Sequence, residues 1–271
     1  MPELPEVETA RRGIAPHVTG QTITRVVVRE RRLRHPIPRH FAARVAGQRI
    51  DHVARRGKYI LVACADGTLI IHLGMSGNLR LVPVAKPAEK HDHVDLCLSN
   101  GLALRLRDPR RFGLMVWTED DPLSHPLLND LGPEPLTAAF NAAYLLQRAR
   151  GRIVPVKQFI MDAKVVVGVG NIYANEALFM AGVHPRRAAG RVTATEFGLI
   201  AKAIKQVLRK AIRAGGTTLR DFVDGDGRAG YFSQQLQVYG RAGQACRRCG
   251  RAIEAARLGQ RATYHCPHCQ T

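Results

Sequence analysis

Two groups of residues, at opposite ends of the chain, have types and spacings suited to chemistry. The chain opens Met1-Pro2-Glu3-Leu4-Pro5-Glu6. In the cytoplasm an initiator methionine followed by a small residue is ordinarily trimmed, which leaves Pro2 with a free secondary amine of pKa roughly 8. Such an amine attacks a sugar aldehyde carbon and forms an iminium cation without losing a second proton, the covalent logic of a Schiff-base lysine. Glu3 and Glu6 fall within one turn of it and are candidate proton donor and acceptor. A plainer reading fits the same residues, because Pro near a helix start with Glu in the first turn is ordinary N-terminal grammar.

At the other end stand Cys246-Arg-Arg-Cys249 and, after an Arg-rich stretch, Cys266-Pro-His-Cys269. Two C-x2-C knuckles at this separation match a closed, tetrahedral four-thiolate zinc site. One structural Zn2+ is therefore expected, since a short terminal module buries too little core to fold without a staple. Four thiolates leave no open position for water, so metal catalysis is not expected there. His265 and His268 flank the ligands as alternative donors. Arg251, Arg257 and Arg261 lie between the knuckles with only Glu254 opposing them, which suggests a hairpin that contacts DNA rather than one that is merely solvated. Cys64 and Cys97 sit in apolar strand-like surroundings and read as small core residues.

The 41 Lys and Arg outnumber 22 Asp and Glu, giving a formal charge of +19. A field of that sign concentrates polyanions, so nucleic acid is the first partner to consider. No stretch reaches the 18 or so apolar residues that span a bilayer. The acidic start lacks the apolar region of a secretory signal. Six cysteines in a reducing cytoplasm favour metal over disulfides.

Elements must position these groups. An amphipathic segment from about Pro5 to Val18 is followed by strand-like runs at 22–28, 49–53, 59–63, 68–73, 79–82, 94–98, 103–106 and 114–117. Short Val/Ile/Leu-rich runs separated by Gly, Asp, Asn or Pro predict an antiparallel sandwich or barrel. Pro122, Pro126, Gly132, Pro133 and Pro135 mark a change of texture, after which the pattern is helical. Thr193-x-x-Glu196 is a capping box, Phe197 to Ala211 follow at helical spacing, and Gly215-Gly216 stop the helix. The layout is a β domain at 1–130, a hinge at 131–150, a helical domain at 151–235 and a zinc finger at 236–271, with a cleft where the halves meet.

Several further segments bear on binding. Arg55-Arg56-Gly57-Lys58-Tyr59 is a phosphate-contacting turn ahead of a strand. His72-Leu-Gly-Met75-Ser-Gly77 leaves Met75 in a loop. Asp108-Pro-Arg110-Arg-Phe112-Gly113 presents an arginine and an aromatic together, a pair able to wedge into a base stack. Gly168-Val-Gly170-Asn171 leads into a helix carrying Glu176, and helix N-termini accept phosphate. A polar, Gly-rich loop follows Gly215 and suits closure over a bound group; its Asp224 and Asp226 lack the other ligands of a calcium loop. His91-Asp92-His93 reads as a solvated strand end rather than a chelate.

Together, PELPEVET, RRGKY, HLGMSG, HDHVDL, DPRRFG, GVGNIYANE, GGTTLRDF and the four-Cys finger resemble the formamidopyrimidine-DNA glycosylases, of the helix–two-turn–helix glycosylase group, over essentially the whole chain. The resemblance implies an α+β multidomain fold. An N-terminal antiparallel β-sandwich with flanking helices would precede a C-terminal helix–two-turn–helix domain and a zinc-finger β-hairpin. It implies a bifunctional DNA glycosylase and abasic-site lyase of base-excision repair, acting on oxidised purines such as 8-oxoguanine and formamidopyrimidines. Pro2 would attack C1′, Glu3 would act as general acid and Glu6 would support the site. Lys58 would contact phosphate near the lesion, with His72, Asn171 and Arg261 as further phosphate ligands. Lys58 and Arg261 count with the catalytic set. Met75, Arg110 and Phe112 would fill the hole left by the extruded base, Arg110 pairing with the orphaned cytosine. Lys157 would help recognise the oxidised purine. The loop containing Thr217, Thr218 and Tyr231 would cap it. Partners would be duplex DNA carrying an oxidised base or abasic site, with no membrane and no organic cofactor. A cytoplasmic, nucleoid-associated monomer is the expectation.

The nearest alternative is the endonuclease VIII type, which removes oxidised pyrimidines with the same Pro-Glu machinery; the DPRRFG turn, the Met75 loop and the long lid favour the purine branch. A zinc-ribbon DNA-binding regulator explains the charge and finger but not the Pro2-Glu3 opening. A basic ribosomal protein predicts neither two domains nor a lid.

Overall fold

Runs of Val, Ile and Leu punctuated by turn residues pair early in the chain because each buries at least one face against the other sheet or a helix. In the computed structural model, which describes residues 2–216 and 235–271, the first element is helix α1 (Leu4–Val18). Strand β1 (Ile23–Val28) and the short helix α2 (Phe41–Val45) follow, then β2 (Ile50–Arg56), β3 (Tyr59–Cys64), β4 (Gly67–His72), β5 (Asn78–Pro83), β6 (Asp92–Leu98), β7 (Leu102–Arg107) and β8 (Leu114–Thr118). They form two four-stranded antiparallel sheets, ordered β1-β6-β7-β5 and β2-β3-β4-β8. Val7 and Ile14 of α1, Phe41 of α2, Ile60, Val62 and Leu69 of one sheet and Leu96 and Leu104 of the other share one buried cluster. Truncating a residue of this kind to Ala costs about 2–5 kcal/mol. Cys64 and Cys97 are buried thiols, as their surroundings predict.

Met1–Asp130, joined by the chain just after Arg213, make one compact unit; Leu131–Arg213 and the C-terminal segment make another. The second holds α3 (Ala142–Ala149), α4 (Val156–Met161), α5 (Asn171–Ala181), α6 (Ala194–Arg213) and the hairpin of β9 (Glu254–Leu258) and β10 (Arg261–His265). Thr193 and Glu196 make the predicted capping box: the Glu196 N–H donates to Thr193 Oγ1 at 3.3 Å and the Thr193 N–H to Glu196 Oε2 at 2.9 Å. Phe197, Ile200, Ile204, Val207, Leu208 and Ala211 form the buried face of α6. The helix stops before Gly215 and Gly216, whose φ angles of 75° and 83° suit glycine. The chain is thus an α+β multidomain protein: an antiparallel β-sandwich with flanking helices, then a helical domain ending in a two-stranded hairpin that carries Cys266 and Cys269 just past it.

Two expectations are corrected. Strand β2 runs to Arg56, three residues past the predicted end at Val53, because Arg55 and Arg56 pair with Ile60 and Tyr59. The RRGKY segment is therefore a tight hairpin with Gly57 and Lys58 at its tip. The His91-Asp92-His93 strand end is not solvated at its last two residues. Asp92 and His93 are buried; Asp92 Oδ2 accepts from the Glu89 N–H at 2.8 Å, and His93 Nε2 donates to the Asp108 carbonyl at 2.8 Å. Helix α2 leaves no periodic trace, since five residues are too few to show one.

Candidate active site and nucleic-acid interface

Leu4-Pro5 starts α1 because proline fits a first turn whose N–H groups lack partners. Glu6 Oε2 accepts the Glu3 N–H at 2.9 Å, while the Glu3 carboxylate faces the Glu6 N–H, closing a reciprocal capping box. The ordinary helix grammar is therefore present, and something more with it. Pro2 is buried, and Glu3 and Glu6 are only 2% and 3% exposed. Two nearly dry carboxylates beside a proline are far from the usual solvated first turn. A Cβ on Gly216 would come within 3.2 Å of Glu6 Oε1, so the chain leaving α6 lies directly on this carboxylate.

One turn further, Glu8 collects Arg11 at 2.8 Å, Arg12 at 2.7 Å and Arg55 at 3.2 Å. Arg55 also donates to the Gly57 carbonyl at 2.7 Å. This cluster fixes α1 against the β2–β3 hairpin that carries Lys58. Tyr59 and His72 are register partners across β3 and β4, and their rings lie 4.8 Å apart. Burial, together with the nearby Lys58 and Arg34 cations, pushes the His72 imidazole down to about 4. Its Nδ1 accepts the Gly74 N–H at 2.9 Å. A neutral ring with Nδ1 occupied carries its proton on Nε2, so His72 is a hydrogen-bond donor next to a lysine.

Met75 is half-buried in the β4–β5 loop. Arg110 and Phe112 project from the β7–β8 turn, with the guanidinium 5.0 Å from the Phe112 ring centre. Phe112 is 43% exposed, which is unusual for a residue of its type. The turn thus presents arginine and aromatic together, as its sequence suggests.

In the helical unit, Asn171 is the first residue of α5, and its Nδ2 donates to the Ala262 carbonyl at 3.0 Å. Arg261 is exposed at the start of β10. Lys157, expected to help recognise an oxidised base, lies on α4 against the hairpin. It is 1% exposed on α4, and its Nζ donates to the Ala262 carbonyl at 2.8 Å and to Thr263 Oγ1 at 2.7 Å. A buried ammonium holding a strand carbonyl and hydroxyl anchors the hairpin. Asn175 completes the seat by accepting the Tyr264 N–H at 2.7 Å. Thr217, Thr218 and Tyr231 lie outside the described residues.

The four sulfurs of Cys246, Cys249, Cys266 and Cys269 lie within 4.8 Å of one another. Tetrahedral zinc with bonds of about 2.3 Å separates its sulfurs by about 3.8 Å. The Cys246–Cys269 and Cys249–Cys266 separations are 3.9 and 3.5 Å. The donor set fits one structural zinc, and neither His265 nor His268 belongs to the cluster. Around it, Phe179, Val238 and Ile253 form only a small apolar core, so the metal is the main staple.

Sequence reasoning missed three acids that serve as buried acceptors, Glu8, Asp108 and Glu176. Glu176 takes the backbone N–H groups of Gln237, Val238 and Tyr239 at 2.8, 2.9 and 2.9 Å, fixing the chain as it enters the finger. The available signal was an acid amid the apolar residues of α5.

A sandwich with buried carboxylates at its first helix is followed in the chain by a helical unit ending in a basic hairpin that fits a structural zinc. Three family models match along the chain: the formamidopyrimidine-DNA glycosylase N-terminal domain over residues 1–115, its H2TH domain over 131–223, and the zinc finger found in FPG and IleRS over 243–271. The chain belongs to the formamidopyrimidine-DNA glycosylase family. The formamidopyrimidine-DNA glycosylase of Pseudomonas putida (strain W619) is 61% identical over 270 residues, covering 100% of both chains. The crystal structure of MutM (Fpg) from Thermus thermophilus matches with TM-score 0.89 at 39% identity, covering 99% of this chain and 98% of that one. The Lactococcus lactis Fpg (MutM) in complex with DNA containing N7-benzyl-Fapy-dG matches with TM-score 0.92 at 33% identity over 100% of both chains.

Proposed function

We propose that this glycosylase excises oxidised purines, 8-oxoguanine and formamidopyrimidines, from duplex DNA and then cuts the abasic strand as a lyase. The observation that carries the reading is the start of α1, where Pro2 adjoins two buried carboxylates held by a reciprocal cap. With Met1 removed, the Pro2 nitrogen attacks C1′ and the damaged base leaves. Glu3, as general acid, protonates the ring oxygen so that the sugar opens to an iminium. The iminium acidifies C2′–H; loss of that proton expels the 3′ phosphate, and a second elimination expels the 5′ phosphate. Hydrolysis of the iminium returns Pro2 as an amine.

Flipping the base out of the stack costs a few kcal/mol. Met75, Arg110 and Phe112 offset that by filling the vacated space. Lys58, His72, Asn171 and Arg261 hold backbone phosphates, which positions the duplex without reading sequence. With its four positions taken by thiolates, zinc supplies no chemistry here; it holds the hairpin that carries Arg261. The solved complexes of relatives with DNA containing Fapy-dG, an abasic site or carbocyclic 8-oxo-G support this substrate class. A Lactococcus lactis Fpg complex with oxidised-pyrimidine DNA supports a secondary activity on that lesion.

The test is borohydride trapping on duplexes with 8-oxoguanine opposite cytosine and with an oxidised pyrimidine. A reduced adduct mapped to Pro2 on the purine duplex is expected. An adduct formed only with the pyrimidine duplex reassigns the substrate. No adduct from protein shown to begin at Pro2 ends the covalent reading.

A further inference from the structure

The three side chains proposed to enter the duplex ride on two different loops. Met75 lies between β4 and β5, and Arg110 and Phe112 lie between β7 and β8. One carboxylate joins them. Asp108 is 0% exposed. Its Oδ2 accepts the Gly113 N–H at 2.7 Å, and its Oδ1 accepts the Arg110 N–H at 3.3 Å. Those two bonds close its own turn. The third reaches the other loop, where the Ser76 hydroxyl donates to Oδ1 at 3.0 Å.

The backbones interlock at the same place. A Cβ on Gly74 would meet the Gly113 nitrogen and the Phe112 carbonyl carbon at 2.4 Å, and one on Gly113 would meet the His72 carbonyl oxygen at 2.9 Å. Behind the turn, His93 donates to the Asp108 carbonyl, and the Arg34 N–H donates to the Gly113 carbonyl at 3.1 Å. Within the turn Arg111 holds a φ of 56°, a left-handed conformation that a non-glycine residue keeps only when its surroundings enforce it.

We propose that Asp108 is a positioning residue that locks the Met75 loop to the Arg110–Phe112 turn through Ser76, so that the three side chains enter the base stack as one preformed wedge. The inference rests on the wedge role assigned to those residues under the proposed function. Its physical basis is preorganisation. Side chains on two independent loops must each be ordered at insertion, whereas a joined pair has already lost that freedom. A buried carboxylate enforces the joining, because separating the loops would strip a donor from it in a place water does not reach. A carboxylate serving only its own turn would need Gly113 and Arg110; the bond to Ser76 is what such a role leaves unexplained.

The test uses full-length, zinc-loaded protein and the variants Ser76→Ala, Asp108→Asn, their double mutant and Phe112→Ala. Single-turnover excision of 8-oxoguanine paired with cytosine is compared with borohydride trapping on a preformed abasic duplex, where no base has to be displaced. A 2-aminopurine beside the lesion reports wedge entry. Ser76→Ala is expected to slow paired-lesion excision and the 2-aminopurine signal together by about tenfold, with abasic trapping within about twofold of the parent and the melting temperature unchanged. Asp108→Asn keeps one acceptor oxygen and sets an amide N–H where the other stood, so the double mutant is expected to be slower than either single variant by less than the product of their separate effects, since both changes act on one network. Parental excision by Ser76→Ala and Asp108→Asn, while Phe112→Ala is slow, overturns the coupling and leaves the wedge. Parental excision by Phe112→Ala overturns the wedge itself and the coupling with it. Excision and abasic trapping that fall together with the melting temperature reduce Asp108 to a fold-stabilising residue.

Discussion

Replacing Glu8 by Gln should destabilise the sandwich unit at neutral pH and leave it almost unchanged in acid. Glu8 is 8% exposed, and Arg11, Arg12 and Arg55 surround its carboxylate. Burial by itself would raise its pKa; hydrogen bonds from Arg11 and Arg12, with the charges of Arg11 and Arg55, overcome that and bring it from 4.5 down to about 2. A depression of this size corresponds to about 3 kcal/mol of folding stability. Arg12 is 60% exposed and its share is screened, which leaves about 2 kcal/mol. The folded pKa lies below the unfolded one, so the unfolded chain takes up the proton first as the pH falls. The contribution is complete above about pH 5 and is lost as the pH drops through 2. Urea unfolding followed by Trp117, the single tryptophan and part of β8 in the same unit, measures this directly. Glu8→Gln should lower stability by about 2 kcal/mol at pH 7, with the gap closing toward pH 2. A gap that stays constant with pH, or one below about 0.5 kcal/mol at pH 7, refutes the ion-cluster account.

Zinc analysis should give one ion per chain, and Cys249→Ser or strong chelation should abolish DNA binding while the Trp117 unfolding transition persists, as fluorescence anisotropy and urea titration will read. Lys58→Ala and Arg261→Ala should each reduce the slope of log binding constant against log salt by about 0.9, the signature of one lost phosphate contact; an unchanged slope removes that residue from the interface. Glu176→Gln sets an amide N–H against one of three backbone donors, at a cost of about 1–3 kcal/mol, visible as faster hydrogen exchange at residues 237–239. Burial raises the Glu176 pKa despite those three donors. The sign is therefore opposite to that of Glu8: its contribution is fully present below about pH 4.5 and is lost as the pH rises through the folded value.

Much of the architecture was legible because it rests on local rules. Each of the eight strand-like runs of the first unit became a strand, since turn residues bounded them and β-branched residues filled them. The Thr193–Glu196 box and the Gly215-Gly216 stop set the ends of α6 from short-range chemistry. The four cysteines were legible for the same reason, because ligand type and spacing nearly determine a zinc site. The end of β2 was not, since Arg55 and Arg56 look like loop residues until Ile60 and Tyr59 are seen opposite them. Asp92 and His93 look like solvent-facing groups until their burial is seen; the His93 partner, the Asp108 carbonyl, comes from another strand end.

Lys157 shows where residue type stops being informative. A lysine in a strongly basic chain suggests contact with an anion, and the resemblance suggested contact with a damaged base. Its actual surroundings follow from the zinc site. Once the thiolates gather, β9 and β10 must pair, and β10 needs a surface to lie on. Asn171, Asn175 and Lys157 supply donors and acceptors to Ala262, Tyr264 and Thr263, three consecutive residues of β10. Arg261 is the next residue outward, so its placement depends on these contacts behind the hairpin. Lys157→Met, which keeps the bulk and removes the donors, should therefore weaken binding to undamaged and damaged duplexes alike. A role in recognising the damaged base would instead confine the loss to the lesion-bearing duplex. Comparing the two affinities at one salt concentration separates these outcomes, and a loss confined to damaged DNA would return Lys157 to the recognition site.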